Sequence, residues 1–228
     1  MPDHTSIYLN EAEKYHLLIS KQPKLAKIIG EIQAYEGLDI VDMGAGSGRL
    51  TTVLVPDART IIALDQSQAM LDETAEKLMD AGLMNWKIAV ADHRKLPVAD
   101  QSADLIVAGW TICYLVQSGL PQWKQNLEEI MLEMKRVLRP GGTIIIFETM
   151  GTGYETPNPP DFLIEYYASL VADYGFAHKW MRTDYQFDSV EQAVELTKFF
   201  FSTELADQVR KDNKAQVPEC AGIWWLHV

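Results

Sequence analysis

Short apolar runs alternate with longer amphipathic segments along most of the chain. Continuous apolar runs of strand length are typical of parallel strands covered on both faces. Five such runs are found, at residues 38–43, 60–65, 86–91, 105–110 and 143–148. Between them, 68–79 and 122–138 place apolar side chains at three- and four-residue steps, as amphipathic helices do. The pattern predicts an α/β fold with a mostly parallel sheet.

The two ends of the chain carry weaker patterns. Residues 5–35 have apolar side chains at helical spacing, and Pro23 separates two predicted helices. We interpret residues 1–34 as an N-terminal helical cap. Behind it we expect a single domain of residues 35–228, with a substrate-side insertion at about 150–175.

Beyond the fifth run, turn and cap residues predict the elements. Residues 151–161 are rich in Gly, Pro, Thr and Asn and predict a loop, which a helix at 162–174 follows. Residues 176–187 predict a sixth strand, and Ser189 is placed to cap a helix. Residues 222–228 predict a seventh strand.

A glycine-rich turn joins the first predicted strand to the helix after it. Gly44, Gly46 and Gly48 allow a sharp turn with positive φ and let a ligand approach the backbone. The helix should begin near Arg49 and leave free amide groups beside that ligand. About twenty residues after the first glycine, the second strand ends at Asp65, where a carboxylate is placed to accept hydrogen bonds from a ribose diol. The segment is therefore predicted to bind a nucleoside.

Two nucleoside cofactors fit this arrangement, and the glycine spacing favours one of them. A dinucleotide fingerprint needs its third glycine three positions after the second, where this chain has Arg49. Asp42 precedes the turn, and its negative charge would repel a pyrophosphate but suit a cationic ligand. The pattern resembles motif I of the class I S-adenosylmethionine-dependent methyltransferases, whose cofactor carries a sulfonium and an ammonium group and no phosphate.

Two later segments resemble the same family. The loop LPVADQSAD at 96–104 precedes the fourth strand, and EMKRVLRPGGTIIIFET at 133–149 is similar to the family's fifth-strand element. The resemblance covers roughly residues 35 to 150. It implies a Rossmann-like, seven-stranded, mostly parallel sheet flanked by helices, with S-adenosylmethionine as the cofactor.

The resemblance also implies which residues bind the cofactor. Asp65 would bind the ribose, Asp92 the adenine amino group, and His93 would lie against the adenine ring. Trp110 would lie at the reaction centre, where an aromatic face suits a sulfonium, or it could be packing. Asp65 and Asp92 could each cap the next helix or turn instead. The predicted set is Asp42, Gly44, Ala45, Gly46, Gly48, Asp65, Gln66, Met70, Asp92, His93 and Trp110.

The sequence does not select a catalytic base. Methyl transfer is an in-line displacement, and positioning alone can supply roughly 7 to 11 kcal/mol of the barrier. A base is needed only when the acceptor arrives protonated. The candidates near expected strand ends are His93, Tyr114, Glu148 and His178. In the N-terminal segment, Tyr8, Tyr15 and His16 are candidate pocket residues or plain core.

Composition restricts the partners and the compartment. The formal charge is −12, from 32 acidic and 20 basic residues in 228, which argues against nucleic acid because Lys and Arg supply most of the affinity for phosphates. No apolar run approaches the roughly 20 residues that span a bilayer, and no secretion signal is evident. We therefore expect no membrane partner and a cytoplasmic location. Cys113 and Cys220 lack the spacing of metal ligands, so we expect no bound metal. The sequence leaves the oligomeric state open.

These observations predict an S-adenosylmethionine-dependent methyltransferase that acts on a small molecule. One alternative is a catalytically silent S-adenosylmethionine-binding subunit of another enzyme, although such a subunit need not retain the glycines and acids. A second alternative, methylation of a protein, keeps the cofactor and changes the acceptor. An NAD-dependent oxidoreductase is disfavoured by the glycine spacing.

Overall fold

The apolar runs form one seven-stranded sheet in the computed structural model, which describes residues 2–228. The strands, in chain order and including two short ones outside this sheet, are β1 (Asp39–Met43), β2 (Thr60–Asp65), β3 (Trp86–Val90), β4 (Ala103–Gly109), β5 (Leu138–Thr152), β6 (Ala177–Arg182), β7 (Tyr185–Gln186), β8 (Gln216–Val217) and β9 (Glu219–His227). The order across the sheet is β3-β2-β1-β4-β5-β9-β6. β9 runs antiparallel to β5 and β6, and the remaining neighbours are parallel. The predicted mostly parallel α/β sheet is confirmed.

Helices flank both faces of the sheet. They are α1 (His4–Asn10), α2 (Ala12–Ile19), α3 (Ala26–Ile32), α4 (Thr51–Leu54), α5 (Gln68–Asp80), α6 (Cys113–Val116), α7 (Trp123–Val137), α8 (Asp161–Ala172), α9 (Val190–Phe200) and α10 (Thr203–Asp212). Ser189 caps α9 as predicted, since its side chain accepts from the Gln192 amide. Among residues 2–228, none of these helices has both the length and the apolar character needed to cross a membrane.

Alternate residues of the central strands face opposite sides of the sheet, so each strand contributes to two apolar layers. Ile106 and Ile144 pack with α7 and α8 on one side. Leu105 and Ile145 pack with α3 and α4 on the other. Burying one large apolar side chain contributes about 1.5–3 kcal/mol. The two layers therefore hold the strand ends at fixed positions.

The N-terminal segment forms three short helices where the sequence predicted two. The side-chain amide of Asn10 donates to the Ser6 carbonyl at 3.0 Å, which competes with continuation of the helix. The chain then turns at Glu11 (φ −133°, ψ 32°). α1 and α2 both pack on α5, and the Ser67 hydroxyl donates to the Tyr8 carbonyl at 3.1 Å. The helical cap thus lies over the carboxyl edge of the sheet; its boundary at residue 34 stays a prediction.

The predicted sixth strand was too long. It ends at Arg182 because Asp184 turns its carboxylate back to the Arg182 guanidinium, at 2.7 Å, and accepts from the Glu219 amide at 3.1 Å. The chain continues as β7, which pairs with β8 in a separate two-stranded sheet. The seventh strand, β9, begins at Glu219, three residues before its predicted start.

Candidate active site

A cavity of about 330 Å³ opens at the carboxyl ends of β1, β2 and β4. Ligands gather at this edge in open parallel sheets. The predicted residues that line it are Gly44, Gly46, Asp65, Gln66, Met70, His93, Trp110 and Tyr114. Four residues of α1, namely His4, Thr5, Tyr8 and Leu9, cover it from the other side. A smaller cavity of about 30 Å³ adjoins it and shares some walls, and it is lined also by Asp42, Ala45 and Arg49.

The glycine turn forms the floor between the two cavities. Gly44 has φ +75°, and a Cβ built there would overlap the Thr111 side chain. Gly46 has φ +55°, but a Cβ there would meet no protein atom closer than Met70 Cε at 3.5 Å. Gly44 is therefore required by the fold, whereas Gly46 leaves space toward the cavities. The helix after the turn is a single turn, α4, which begins at Thr51 rather than near Arg49.

Asp65 ties the glycine turn to the end of β2. Its Oδ2 accepts from the Gly46 amide at 2.9 Å, and its Oδ1 accepts from the Ser67 amide at 2.8 Å. Burial raises the pKa of this carboxyl, and the backbone amides oppose that shift. Each carboxylate oxygen can accept more than one hydrogen bond. Asp65 can thus hold the turn and also bind a donor in the cavity.

Asp42 and Arg49 bring opposite charges to the smaller cavity, and each has an unpartnered atom. Asp42 is 1% exposed; its Oδ2 accepts from the Thr51 hydroxyl at 2.5 Å, and its Oδ1 has no hydrogen-bond partner. Burial raises the pKa of Asp42 to about 7. Arg49 lies with its guanidinium carbon 3.7 Å from the ring centroid of Trp110, and its buried Nη2 has no hydrogen-bond partner among residues 2–228. Unpaired buried groups of this kind are costly, so a ligand that satisfies both would bind well.

Trp110 and His93 form the wall at the end of β4. Trp110 has φ +52°, uncommon for a residue with a side chain, and its amide donates to the Phe147 carbonyl at 2.7 Å. The buried His93 pairs through Nε2 with the Thr111 hydroxyl at 2.8 Å, and its Nδ1 has no partner. Burial lowers the pKa of His93 to about 4. His93 is therefore a neutral imidazole near pH 7.

Several predicted site residues do not line either cavity. Asp92 is paired with Arg94, with 2.7 Å between Oδ2 and Nη2, and this hydrogen bonding lowers the pKa of Asp92 to about 2. Glu148 is fully buried beneath Cys113, whose amide donates to it at 3.0 Å, and burial raises the pKa of Glu148 to about 7. Gly48 packs against Thr74 and Thr52.

Two further candidates lie outside the cavities. His178 is the second residue of β6, and it stacks on Trp224 with ring centroids 4.4 Å apart. It lies near a strand end, as expected, but it lines neither cavity. His16 hydrogen-bonds the Ser47 hydroxyl at 3.3 Å instead of facing the main cavity.

Sequence reasoning did not single out His4 or Arg49 as site residues. Arg49 was noted as the residue that breaks a dinucleotide fingerprint, and its position directly after the glycine turn was the signal available. No comparable signal existed for His4, which reaches the cavity through contacts with Phe200, 196 positions away. Tyr8 and Tyr15, both considered as pocket residues, do line the cavity.

A parallel sheet with a glycine turn after its first strand and an acid after its second defines a Rossmann-like, nucleoside-binding architecture. Comparisons with known proteins narrow this class. A family model described as "Methyltransferase domain" matches residues 41–146. A SAM-dependent methyltransferase from Aquifex aeolicus has the same fold, with a TM-score of 0.55 at 18% identity over 99% of this chain and 94% of that one.

Curated relatives are similar over the same region. A malonyl-[acyl-carrier protein] O-methyltransferase of Coxiella burnetii is 31% identical over 143 residues, which make up 62% of this chain and 41% of that protein. Phosphoethanolamine N-methyltransferase 1 of Caenorhabditis elegans is 27% identical over 148 residues, 65% of this chain and 28% of that protein. The chain thus spans less than half the length of either relative. Residues 41–146 thus match a methyltransferase domain, and the fold is that of S-adenosylmethionine-dependent methyltransferases.

Proposed function

We propose that the protein transfers a methyl group from S-adenosylmethionine to a small-molecule acceptor by in-line displacement. The observation that carries the proposal is the pair of unpartnered atoms, Asp42 Oδ1 and Arg49 Nη2, in the smaller cavity. The amino-acid end of the cofactor carries one ammonium and one carboxylate, so it offers a partner to each. The charged groups of this chain fit the cofactor, which when bound supplies the methyl group on a sulfonium.

The larger cavity suits the nucleoside end of the cofactor and the acceptor. Asp65 is proposed to accept from the ribose hydroxyls, beside the amides of Gly46 and Ser67 that it already holds. Gln66, Met70 and the neutral His93 line the adjoining wall. The role of Asp92 toward the adenine amino group stays a prediction, since its carboxylate is paired with Arg94.

The charge of the cavity limits the acceptor class. Among the described residues that line the larger cavity, none is Lys or Arg, and Asp65 is the carboxylate. Arg49 lines the adjoining smaller cavity, where the cofactor's carboxylate would pair with it. An anionic acceptor would lose its hydration without gaining a counter-charge. We therefore propose an uncharged or cationic acceptor, unlike the malonyl and phosphoethanolamine groups in the names of the two relatives.

Calorimetry tests the cofactor assignment. We expect S-adenosylhomocysteine to bind and NAD not to bind. 5′-Methylthioadenosine lacks the amino-acid end and should bind at least about tenfold more weakly, because hydrogen bonds to charged groups contribute about 1.5–3 kcal/mol each. Arg49→Met should reduce that preference at least about tenfold, because Asp42 remains for the ammonium group, and Arg210→Met, an exposed change on α10, should leave it intact. Equal affinity of the two nucleosides for the native protein would contradict the proposal.

A radiolabel experiment tests the acceptor. Protein and methyl-labelled S-adenosylmethionine are incubated with a low-molecular-weight metabolite extract that has been separated by ion exchange. We expect labelled product from the fractions that an anion exchanger does not retain. Labelling confined to the retained, anionic fraction would reject the acceptor class, and no labelling in any fraction would count against methyl transfer itself.

A further inference from the structure

Three side chains at the mouth of the larger cavity form a continuous chain of hydrogen bonds. The hydroxyls of Tyr8 and Tyr114 are 2.7 Å apart. The Tyr114 hydroxyl is 3.3 Å from Nδ1 of His4, and Nε2 of His4 is 2.9 Å from the backbone carbonyl of Phe200. His4, Tyr8 and Tyr114 all line the cavity. The chain of bonds therefore runs from the cavity to the end of α9.

The Phe200 carbonyl fixes the direction of these bonds. A carbonyl oxygen can only accept, so Nε2 of His4 carries a proton and, in the neutral ring, Nδ1 has a free lone pair. Tyr114 then donates its proton to His4, and its oxygen accepts from Tyr8. Because each tyrosine has one proton to donate, the Tyr8 oxygen is left as an acceptor. It can take a proton from a molecule bound in the cavity.

We propose that Tyr8, Tyr114 and His4 form a relay that removes the proton of an acceptor's O–H or N–H group during methyl transfer. The inference rests on the proposed function. The acceptor heteroatom forms a bond to the methyl carbon, and the electron pair of the breaking C–S bond stays on sulfur. The acceptor's proton moves to the Tyr8 oxygen, the Tyr8 proton to Tyr114, and the Tyr114 proton to Nδ1 of His4. The resulting imidazolium keeps its Nε2 hydrogen bond to Phe200.

Other candidate bases fit this role less well. The pKa of His93 is lowered by burial to about 4, so it is a weak base. Glu148 does not line the cavity. Tyrosine hydroxyls are protonated near neutral pH, so Tyr8 and Tyr114 can each pass a proton on. Stacking of His4 on Phe200, with centroids 4.3 Å apart and planes 2° apart, holds the imidazole in place.

Two variants and two matched controls test the relay. Tyr8→Phe and His4→Gln keep most of the side-chain volume and remove one transfer step. General-base catalysis contributes about 10²–10⁴-fold to a reaction rate. We therefore expect the rate of methyl transfer to acceptors in the fraction that the anion exchanger does not retain to fall at least about 10²-fold. The affinity for S-adenosylhomocysteine should stay within about twofold of the native value. Tyr154→Phe, at an exposed tyrosine, and His178→Gln, at a histidine that lines neither cavity, should transfer as the native protein does. Native rates in Tyr8→Phe or His4→Gln would overturn the relay.

Chemical rescue separates a proton-transfer role from a packing role. Imidazole added to His4→Ala should restore part of the transfer rate. Pyrrole has the same shape and an N–H for Phe200 but no lone pair at the second nitrogen position, so it should not. Equal rescue by both compounds would mean that His4 only fills space, and would overturn the relay.

Nitrogen NMR of the protein bound to S-adenosylhomocysteine tests the relay without any acceptor. We expect the His4 ring to be protonated at Nε2, and Tyr114→Phe to shift its Nδ1 resonance while Tyr154→Phe does not. A ring protonated at Nδ1 would overturn the relay. If the native protein labels no acceptor but the Nε2 form is observed, the proposed function fails and the hydrogen-bond direction stands.

Discussion

Replacing Asp42 with Asn should stabilise the ligand-free protein and weaken the cofactor at the same time. Asp42 is buried, and the folded state raises its pKa from 3.8 to about 7. The folded protein therefore holds a proton that the unfolded chain has lost between these values, and the free energy of unfolding falls as pH rises through this window. The pKa difference is about 3 units, and each unit corresponds to 1.36 kcal/mol. The ionised Asp42 therefore lowers the free energy of unfolding by about 4 kcal/mol above pH 7.

Asn keeps an oxygen for the Thr51 hydroxyl and carries no charge. We expect Asp42→Asn to raise the free energy of unfolding at pH 8 by up to about 4 kcal/mol, with the gain shrinking toward pH 4. The same change removes a charged acceptor from the proposed ammonium site. S-adenosylhomocysteine should bind at least about tenfold more weakly, from about 1.5–3 kcal/mol for a charged hydrogen bond.

Denaturant unfolding at pH 5 and pH 8, with and without S-adenosylhomocysteine, measures both effects on the same samples. A bound ammonium favours the ionised carboxylate, so binding to the native protein near pH 7 should release a proton. Calorimetry in buffers of different ionisation enthalpy detects that proton, which should be absent in Asp42→Asn. A variant that is less stable than the native protein at pH 8, or one that binds with native affinity, would refute the reasoning.

Three further predictions concern the same edge of the sheet and the surface charge. Asp65→Ala should lower the melting temperature, because Asp65 accepts hydrogen bonds from the Gly46 and Ser67 amides. It should also lower the cofactor affinity at least about tenfold, because Asp65 is proposed to bind the ribose. Unchanged affinity would reject the ribose role. Gly46→Ala should fold, with about 1–3 kcal/mol of backbone strain, but should lose cofactor binding. Gly44→Ala should fail to fold, because its Cβ overlaps the Thr111 side chain. Circular dichroism measures folding of the two variants, and calorimetry measures their cofactor binding. With a formal charge of −12, the protein should retain no RNA or DNA on filters at low salt, and submicromolar, salt-sensitive retention would contradict a small-molecule acceptor.

The sheet was predictable because its signals are local. Each central strand is a short apolar run, and a parallel sheet brings the residues that follow such runs to one edge. That rule predicts Gly44, Gly46, Asp65 and Trp110 at one edge, and all four line the larger cavity. The end of the sixth strand was not predictable in this way, since Asp184 stops it through a bond to the distant Glu219 amide.

The parts of the site that the sequence did not reveal depend on side-chain partners. Asp92 follows a strand as the rule requires, but the guanidinium of Arg94 takes its carboxylate. Arg49 stacks on Trp110, and no periodicity encodes a contact across 61 positions. The bonds that join His4 to Tyr114 and Phe200 span 110 and 196 positions. The contacts of Arg49 and His4 follow from the closed tertiary structure, whereas the contact of Asp92 is local, with a residue two positions further along the chain.

The position of α1 couples the covering of the cavity to the assembly of the proposed base. His4 and Tyr8 cover the cavity and also supply two members of the proposed relay. Any displacement of α1 would break the Tyr8–Tyr114 hydrogen bond and so dismantle the proposed base. Under this proposal, the base exists only while His4 keeps its contacts with Tyr114 and Phe200.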